Sequence, residues 1–310
     1  MSLRVGIFDS GLGGLSVLRA IVRALDEAAA QGHALPVSEL LYVADSGHAP
    51  YGEKSSAYVV ARSAAVTTFL RGQGADVLVI ACNTATAVAA QALRDAHPAW
   101  PIVGVEPGVK PAAALSRKGR IGVLATEVTL ASDKFRLLAQ AHAAHVELTL
   151  QPCPGLAAAI EGGDLNAPDL RRLISHCCAP LRAQGVDTIV LGCTHYPFVA
   201  HHIATEFGPE VQLIDTADAV AQRTLALARQ ALAMRDPVVA SSAPSWVPSS
   251  TPSASPRALR LWTSGSVDTL KGLLRDWLGW AADVQPLPAA QPPAEPSLID
   301  ASSTHRPPPA

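Results

Sequence analysis

The chain has no uninterrupted apolar run of about 18 residues, the length that would read as a membrane-spanning helix, although 49% of its 310 residues are hydrophobic. Its first residues, MSLRVGIFDSGLGG, lack the charged leader, apolar segment and cleavage site of a secretory signal, so a cytoplasmic location is expected. An excess of one charge sign is also missing: 24 basic and 26 acidic side chains leave a net charge of -2. That balance offers no basic stripe for nucleic acid and no acidic solvating block. The five cysteines, Cys82, Cys153, Cys177, Cys178 and Cys193, include no C-x-x-C pair, and the histidines supply no regular zinc-ligand spacing. No metal site is expected, and free thiols are expected in place of disulfides.

What is present is an alternation of short apolar strands with helical stretches, the signature of parallel sheets, in a chain long enough for two domains. Strands are predicted at Leu3 to Phe8, Leu40 to Ala44, Val77 to Ala81 and Pro101 to Val105. The pattern then restarts with Arg120 to Ala125, Val146 to Gln151, Asp187 to Leu191 and Val211 to Ile214, and a last strand is predicted at Leu259 to Ser264. Between them lie predicted helices, including Leu15 to Ala30, Tyr58 to Leu70, one from about Thr129 to His142, Leu156 to Glu161, Asp169 to Gln184, and Ala217 to Met234. About 241–257 is almost wholly serine, proline and alanine, too poor in branched apolar residues to offset the entropy of ordering. It reads as a disordered insertion, and residues 285–310 as a disordered proline-rich tail.

Two stretches organise the rest: Val77 to Thr86, VLVIACNTAT, and Thr188 to Pro197, TIVLGCTHYP. Each runs from aliphatic residues through one small residue to a cysteine followed by amide, hydroxyl or imidazole side chains. An apolar run of this kind is a strand buried on both faces. Cys82 and Cys193 then stand at strand carboxyl ends, where open α/β sheets bind ligands. Asn83 and Thr84 fall near the first turn of a helix, whose unpaired amides attract a carboxylate. A lone cysteine among aliphatics is usually a small core residue, and Cys153, Cys177 and Cys178 are read that way.

Other turns carry polar groups at strand ends. Asp9, Ser10, Gly11, Gly13 and Gly14 follow the first strand, but GLGGLS lacks the third glycine of a dinucleotide fingerprint and the acidic partner downstream. The turn serves either close helix packing or contacts of Asp9 and Ser10 with an anion and an amine. Pro50, Tyr51 and Gly52 form a rigid turn that either packs an ordinary tyrosine or presents the Tyr51 hydroxyl and nearby amides.

Two thiols on two matching half-sites suggest proton transfer. A planar achiral intermediate needs a base on one face and an acid on the other, and exchanging the roles gives the mirror-image product. A thiol, with an ordinary pKa of about 8.5, is within reach of both protonation states near neutrality.

The stretches FDSGLGGLSVL, YVADSGHAPYG, VIACNTATA, VGVEPGVKPA, GVLAT, LGCTHYPF and LIDTADAVA lie in order over most of residues 3–225. Together they resemble the glutamate racemases of the aspartate/glutamate racemase superfamily. The resemblance implies an α/β fold of two similar domains, each a mainly parallel sheet flanked by helices, with the active site in the cleft between them. Residues 1–105 and 212–284 would form one domain and 106–211 the other. It implies interconversion of L- and D-glutamate for peptidoglycan synthesis without a cofactor, with Cys82 acting on the D substrate and Cys193 on the L substrate. Asp9 would assist Cys82 and contact substrate, Ser10 would hold the amino acid, and His195 with Glu161 would assist Cys193. Tyr51, Gly52, Asn83, Thr84, Thr194 and His195 would bind substrate. An ionised Asp9 should raise the Cys82 pKa, so it would serve as a relay or a clamp on the substrate ammonium. The assembly is left open, a homodimer included. A relative acting on aspartate and a non-catalytic binding protein are the alternatives. Three features depart from the family pattern: Val128 in place of a glycine, Ser266 in place of an aspartate, and the serine and proline insertion.

Overall fold

The computed structural model describes residues 2–235 and 258–288. The expected insertion and residues 289–310 lie outside them. The first half runs β1 (Leu3–Asp9), α1 (Leu15–Ala30), β2 (Val37–Ala44), α2 (Ser56–Gly72), β3 (Val77–Ile80), α3 (Asn83–Ala96), β4 (Ile102–Gly104) and α4 (Val109–Leu115). The second half begins with β5 (Arg120–Ala125), α5 (Glu127–Ala131), α6 (Asp133–His142), β6 (Glu147–Pro152), α7 (Leu156–Glu161) and α8 (Pro168–Ala183). It continues with β7 (Thr188–Gly192), α9 (Ala200–Phe207), β8 (Gln212–Ile214) and α10 (Ala217–Arg235), and the chain closes with β9 (Ala258–Thr263), α11 (Val267–Leu273) and β10 (Val284–Pro286).

Two sheets result, one ordered β10-β9-β2-β1-β3-β4 and the other β6-β5-β7-β8, with every pairing parallel. The order 2-1-3-4 of the first sheet recurs as 6-5-7-8 in the second. The expected α/β class and the repeat of the first half by the second are both met. β3 and β7 are buried along their whole length, as aliphatic runs covered by helices on both faces must be. In each sheet the chain order reverses beside the first strand, and ligands of open α/β sheets bind at the crevice outside that point. Asp9 ends β1 and Cys82 follows β3 at the first crevice; Thr126 and Cys193 follow the two strands flanking the second.

Several elements differ from the sequence expectation. The helix expected to run unbroken to His142 divides at Ser132, whose extended backbone ends α5 and whose hydroxyl accepts the Phe135 amide at 3.1 Å to start α6. Serine competes in this way for backbone amides and favours caps over helix interiors. Gln212–Ile214, counted with residues 1–105 in the sequence reading, pairs with β7 and so closes the second sheet. Residues 285–286, placed in the unstructured tail, belong to β10, and the Leu287 amide donates to the Thr263 carbonyl beside β9. A free sheet edge recruits a partner of modest β propensity, which composition does not report.

Candidate active site

Cys82 and Cys193 line one cavity of about 160 Å³, together with Ser10, Tyr51, Gly52, Asn83, Thr84, Glu161, Thr194 and His195. A void of about 150 Å³ holds a molecule the size of benzene, so this one suits a small metabolite. Among the described residues no lysine or arginine lines it, and anionic groups there must be met by amides, hydroxyls and imidazole.

On the Cys193 side, His195 Nδ1 stands 3.5 Å from Sγ and Nε2 stands 2.6 Å from Glu161 Oε1. Oε1 also accepts the Leu12 amide at 2.7 Å. Burial opposes charge on the imidazole, but Cys193 and Glu161 outweigh it and hold the His195 pKa well above its usual 6.5. Burial likewise opposes ionisation of Glu161, yet the His195 bond and the Leu12 amide keep its pKa below 4.5. The carboxylate is therefore ionised, Nε2 donates to it, and Nδ1 is left to exchange a proton with the thiol.

Three contacts cross from the second half of the chain to the glycine turn of the first and to the start of α1 behind it. Glu161 meets Leu12 N, His195 Nε2 lies 3.1 Å from Gly13 N, and the Ser16 hydroxyl donates to the Thr194 carbonyl at 3.0 Å. A Cβ on Gly11 would stand 1.8 Å from Glu161 Oε1, and one on Gly13 would stand 2.4 Å from His195 Nδ1. The glycines thus make room for an acid and an imidazole. The turn is no phosphate cradle, because the Leu12 and Gly14 amides already donate to Glu161 and Asp9, and the His195 ring stands against the Gly13 amide.

On the other side, the Cys82 thiol caps α3, accepting the Ala85 amide at 3.4 Å, and donates to the Ser10 hydroxyl at 3.4 Å. Burial, then the carboxylate of Asp9, push its pKa far up, against the Ser10 hydroxyl and the Ala85 amide. Asp9 is fully buried and stands behind the wall of the cavity. Its oxygens accept the Ser10 and Gly14 amides at 2.7 and 2.5 Å, and the Thr194 hydroxyl lies 3.4 Å from Oδ2. Burial raises its own pKa despite His195 and those amides. The two thiols consequently occupy opposite electrical surroundings, one beside an imidazolium and one beside a buried acid.

Asn83 Nδ2 is buried without a protein acceptor on the cavity wall, and a buried donor in that condition calls for an explanation such as a bound acceptor. Thr84 at the start of α3 meets Thr126 Oγ1 at 3.0 Å and Thr129 Oγ1 at 3.4 Å across the cleft. Val128, in place of the family's glycine, sits within helical α5, so the Thr129 backbone is held by the Thr126 cap and not by a special turn. Ser266, in place of aspartate, caps α11 by accepting the Thr269 amide at 3.2 Å, a task serine and aspartate share. Tyr51 lines the cavity beside Gly52, and of the two readings of its turn the packed one describes its hydroxyl, which donates to Asp45 Oδ2 at 2.6 Å. Sequence reasoning passed over Asp45 and its partner Arg62, whose forked contact joins residues 17 positions apart with no local motif to announce it.

The chain belongs to the Asp/Glu/Hydantoin racemase family, whose model matches residues 5–224. It is thus an isomerase by class. Among curated relatives, the glutamate racemase of Pseudomonas entomophila is 46% identical over 273 residues, 88% of this chain and 93% of that one. The glutamate racemase of Pseudomonas aeruginosa strain PAO1 is 52% identical over 222 residues, 72% and 80% of the two chains. Among solved structures, that of a Bacillus anthracis glutamate racemase isoform superposes with a TM-score of 0.73 at 26% identity, covering 93% of this chain and 98% of that one. The Escherichia coli glutamate racemase, solved with L-glutamate and the activator UDP-MurNAc-Ala, gives 0.73 at 27% identity over 92% and 98%.

Proposed function

We propose that this chain interconverts L- and D-glutamate by moving a proton between Cα and two cysteines, Cys193 on one face and Cys82 on the other. The observation that carries the reading is the placement of both thiols, from equivalent strand ends of two like-ordered sheets, on the walls of one small cavity. The substrate is taken from the names of the relatives.

In the direction from L to D, Cys193 begins as the thiolate paired with protonated His195, and Cys82 begins as the thiol. Cys193 removes the Cα proton, leaving a planar carbanion whose charge spreads into the substrate carboxylate. The N-terminus of α3 and the Asn83 amide favour that charge where it develops. Cys82 then donates its proton from the opposite face, and the product has the inverted configuration. Asp9 supports this by fixing the turn that bears Ser10 and by keeping the Cys82 proton in place until it is needed. No cofactor enters these steps. The D-glutamate formed would supply peptidoglycan synthesis, so depleting the protein should make cells osmotically fragile unless D-glutamate is supplied.

Incubating the protein with L-glutamate in D₂O tests the reaction. Chiral analysis should show approach to equal enantiomers, with deuterium entering Cα. Unchanged exchange and turnover in the Cys82→Ser variant would overturn the two-thiol mechanism.

A further inference from the structure

Asp45 is fully buried at the end of β2, yet it is not among the cavity-lining groups. Its carboxylate accepts four bonds from three directions. Arg62 on α2 forks onto it, Nε to Oδ2 at 3.0 Å and Nη2 to Oδ1 at 2.7 Å; Tyr51 adds its hydroxyl at 2.6 Å and Ser264 its hydroxyl at 2.8 Å. Ser264 also accepts the Gly47 amide at 3.1 Å, and Ser46 meets Thr263 at 3.3 Å. These bonds tie down the whole segment 45–52, of which Ser46, Ala49, Pro50, Tyr51 and Gly52 form one wall of the cavity. Gly52 closes against the opposite half of the molecule, where a Cβ would stand 2.9 Å from Thr126 Cβ.

Asn83 and Thr194 adjoin the two cysteines in sequence, whereas the turn comes from the end of β2, which β1 separates from β3. Residues 51–53 pack against α3 and α5, and Tyr51 shares a buried cluster with Cys82. The turn is thus a wall of the cavity carried by neither cysteine strand and pressed against both halves of the site.

We propose that Asp45 and Arg62 are positioning residues for a substrate carboxylate, acting through the Pro50–Gly52 turn. Forked arginine and carboxylate geometry holds the turn in one place. Arg62 also neutralises an acid that would otherwise lie behind the wall facing an anion, where like charges disfavour each other. This inference rests on the racemase reading above and adds to it the device that holds one wall of the cavity in register with the substrate.

The test is steady-state kinetics with both glutamate enantiomers on the full-length protein, with thermal unfolding measured beside it. Arg62→Ala should raise KM roughly tenfold, the effect of losing about one charge-assisted contact, while kcat stays within about threefold. Arg62→Lys, which keeps the charge and loses the fork, should fall between parent and alanine variant. Should Arg62→Ala not fold, Ser264→Ala and Tyr51→Phe each remove one bond to Asp45 and should raise KM in the same sense by smaller factors. A fall in Tm with KM unchanged, or a fall in kcat alone, would overturn the proposal. Failure of the unmodified protein to racemise glutamate would instead overturn the reading on which it rests.

Discussion

Replacing Gly11 by alanine puts the cross-molecular contact at the active site to a quantitative test. The added Cβ would stand 1.8 Å from Glu161 Oε1, 2.8 Å from its Cδ and 3.2 Å from Oε2, whereas ordinary contact between such atoms begins near about 3.4 Å. The carboxylate must retreat by more than about 1 Å. It cannot then keep both the Leu12 amide at 2.7 Å and His195 Nε2 at 2.6 Å. A misplacement of that size in catalytic machinery costs about 10²-fold in rate, so kcat/KM should fall by about two orders of magnitude, equally for both enantiomers because they are equal in free energy. The assay is chiral analysis of glutamate at several concentrations, with deuterium incorporation in parallel. Gly72→Ala is the control: it makes the same chemical change at the end of α2, with nothing within 4 Å of the new Cβ. If Gly11→Ala retains activity within about threefold of the parent, this reasoning about Glu161 is refuted.

Glu161→Gln should shift the alkaline limb of stability downward. In the parent, the contribution of the His195 and Glu161 pair is complete between their ordinary pKa values of 4.5 and 6.5. It is lost as pH falls through the lowered Glu161 pKa or rises through the raised His195 pKa. Without the carboxylate, one cause of the raised His195 pKa is gone and the alkaline loss should begin at lower pH, read as Tm against pH. Asn83→Ala removes the unpartnered buried donor and should lower kcat/KM for glutamate by about 10- to 150-fold, the range for one bond to a charged group. Ser266→Ala should cost about 1 kcal/mol through the lost cap, seen as a Tm lowered by about 2–4 °C, with kcat unchanged.

The parts of the fold legible in the sequence were those encoded by local pattern. Leu15–Ala30 and Arg120–Ala125 match their predicted bounds, because amphipathic spacing and a buried aliphatic run are properties of neighbouring residues. Cys82 and Cys193 stood out for the same reason, each ending such a run before polar groups. What depended on pairing at a distance was not legible. Which sheet β8 would join is decided by the free edge of β7, and the fate of the Tyr51 hydroxyl is decided by Asp45, a partner that the turn alone does not name. Glu161 entered through family resemblance only; its isolated residue type, at the end of a short alanine-rich helix, carries no mark of the histidine it meets 34 positions later. Gly11 and Gly13 were read as part of a turn, and the room they leave for Glu161 and His195 emerged only with the side chains pressed against them.

The bond between the Leu12 amide and Glu161 makes the setting of Cys193 a joint product of both halves of the chain. Neither half holds the acid, the imidazole and the sulfur in line by itself, so any change that displaced the glycine turn would loosen Glu161, then His195, and reach the thiol without touching it.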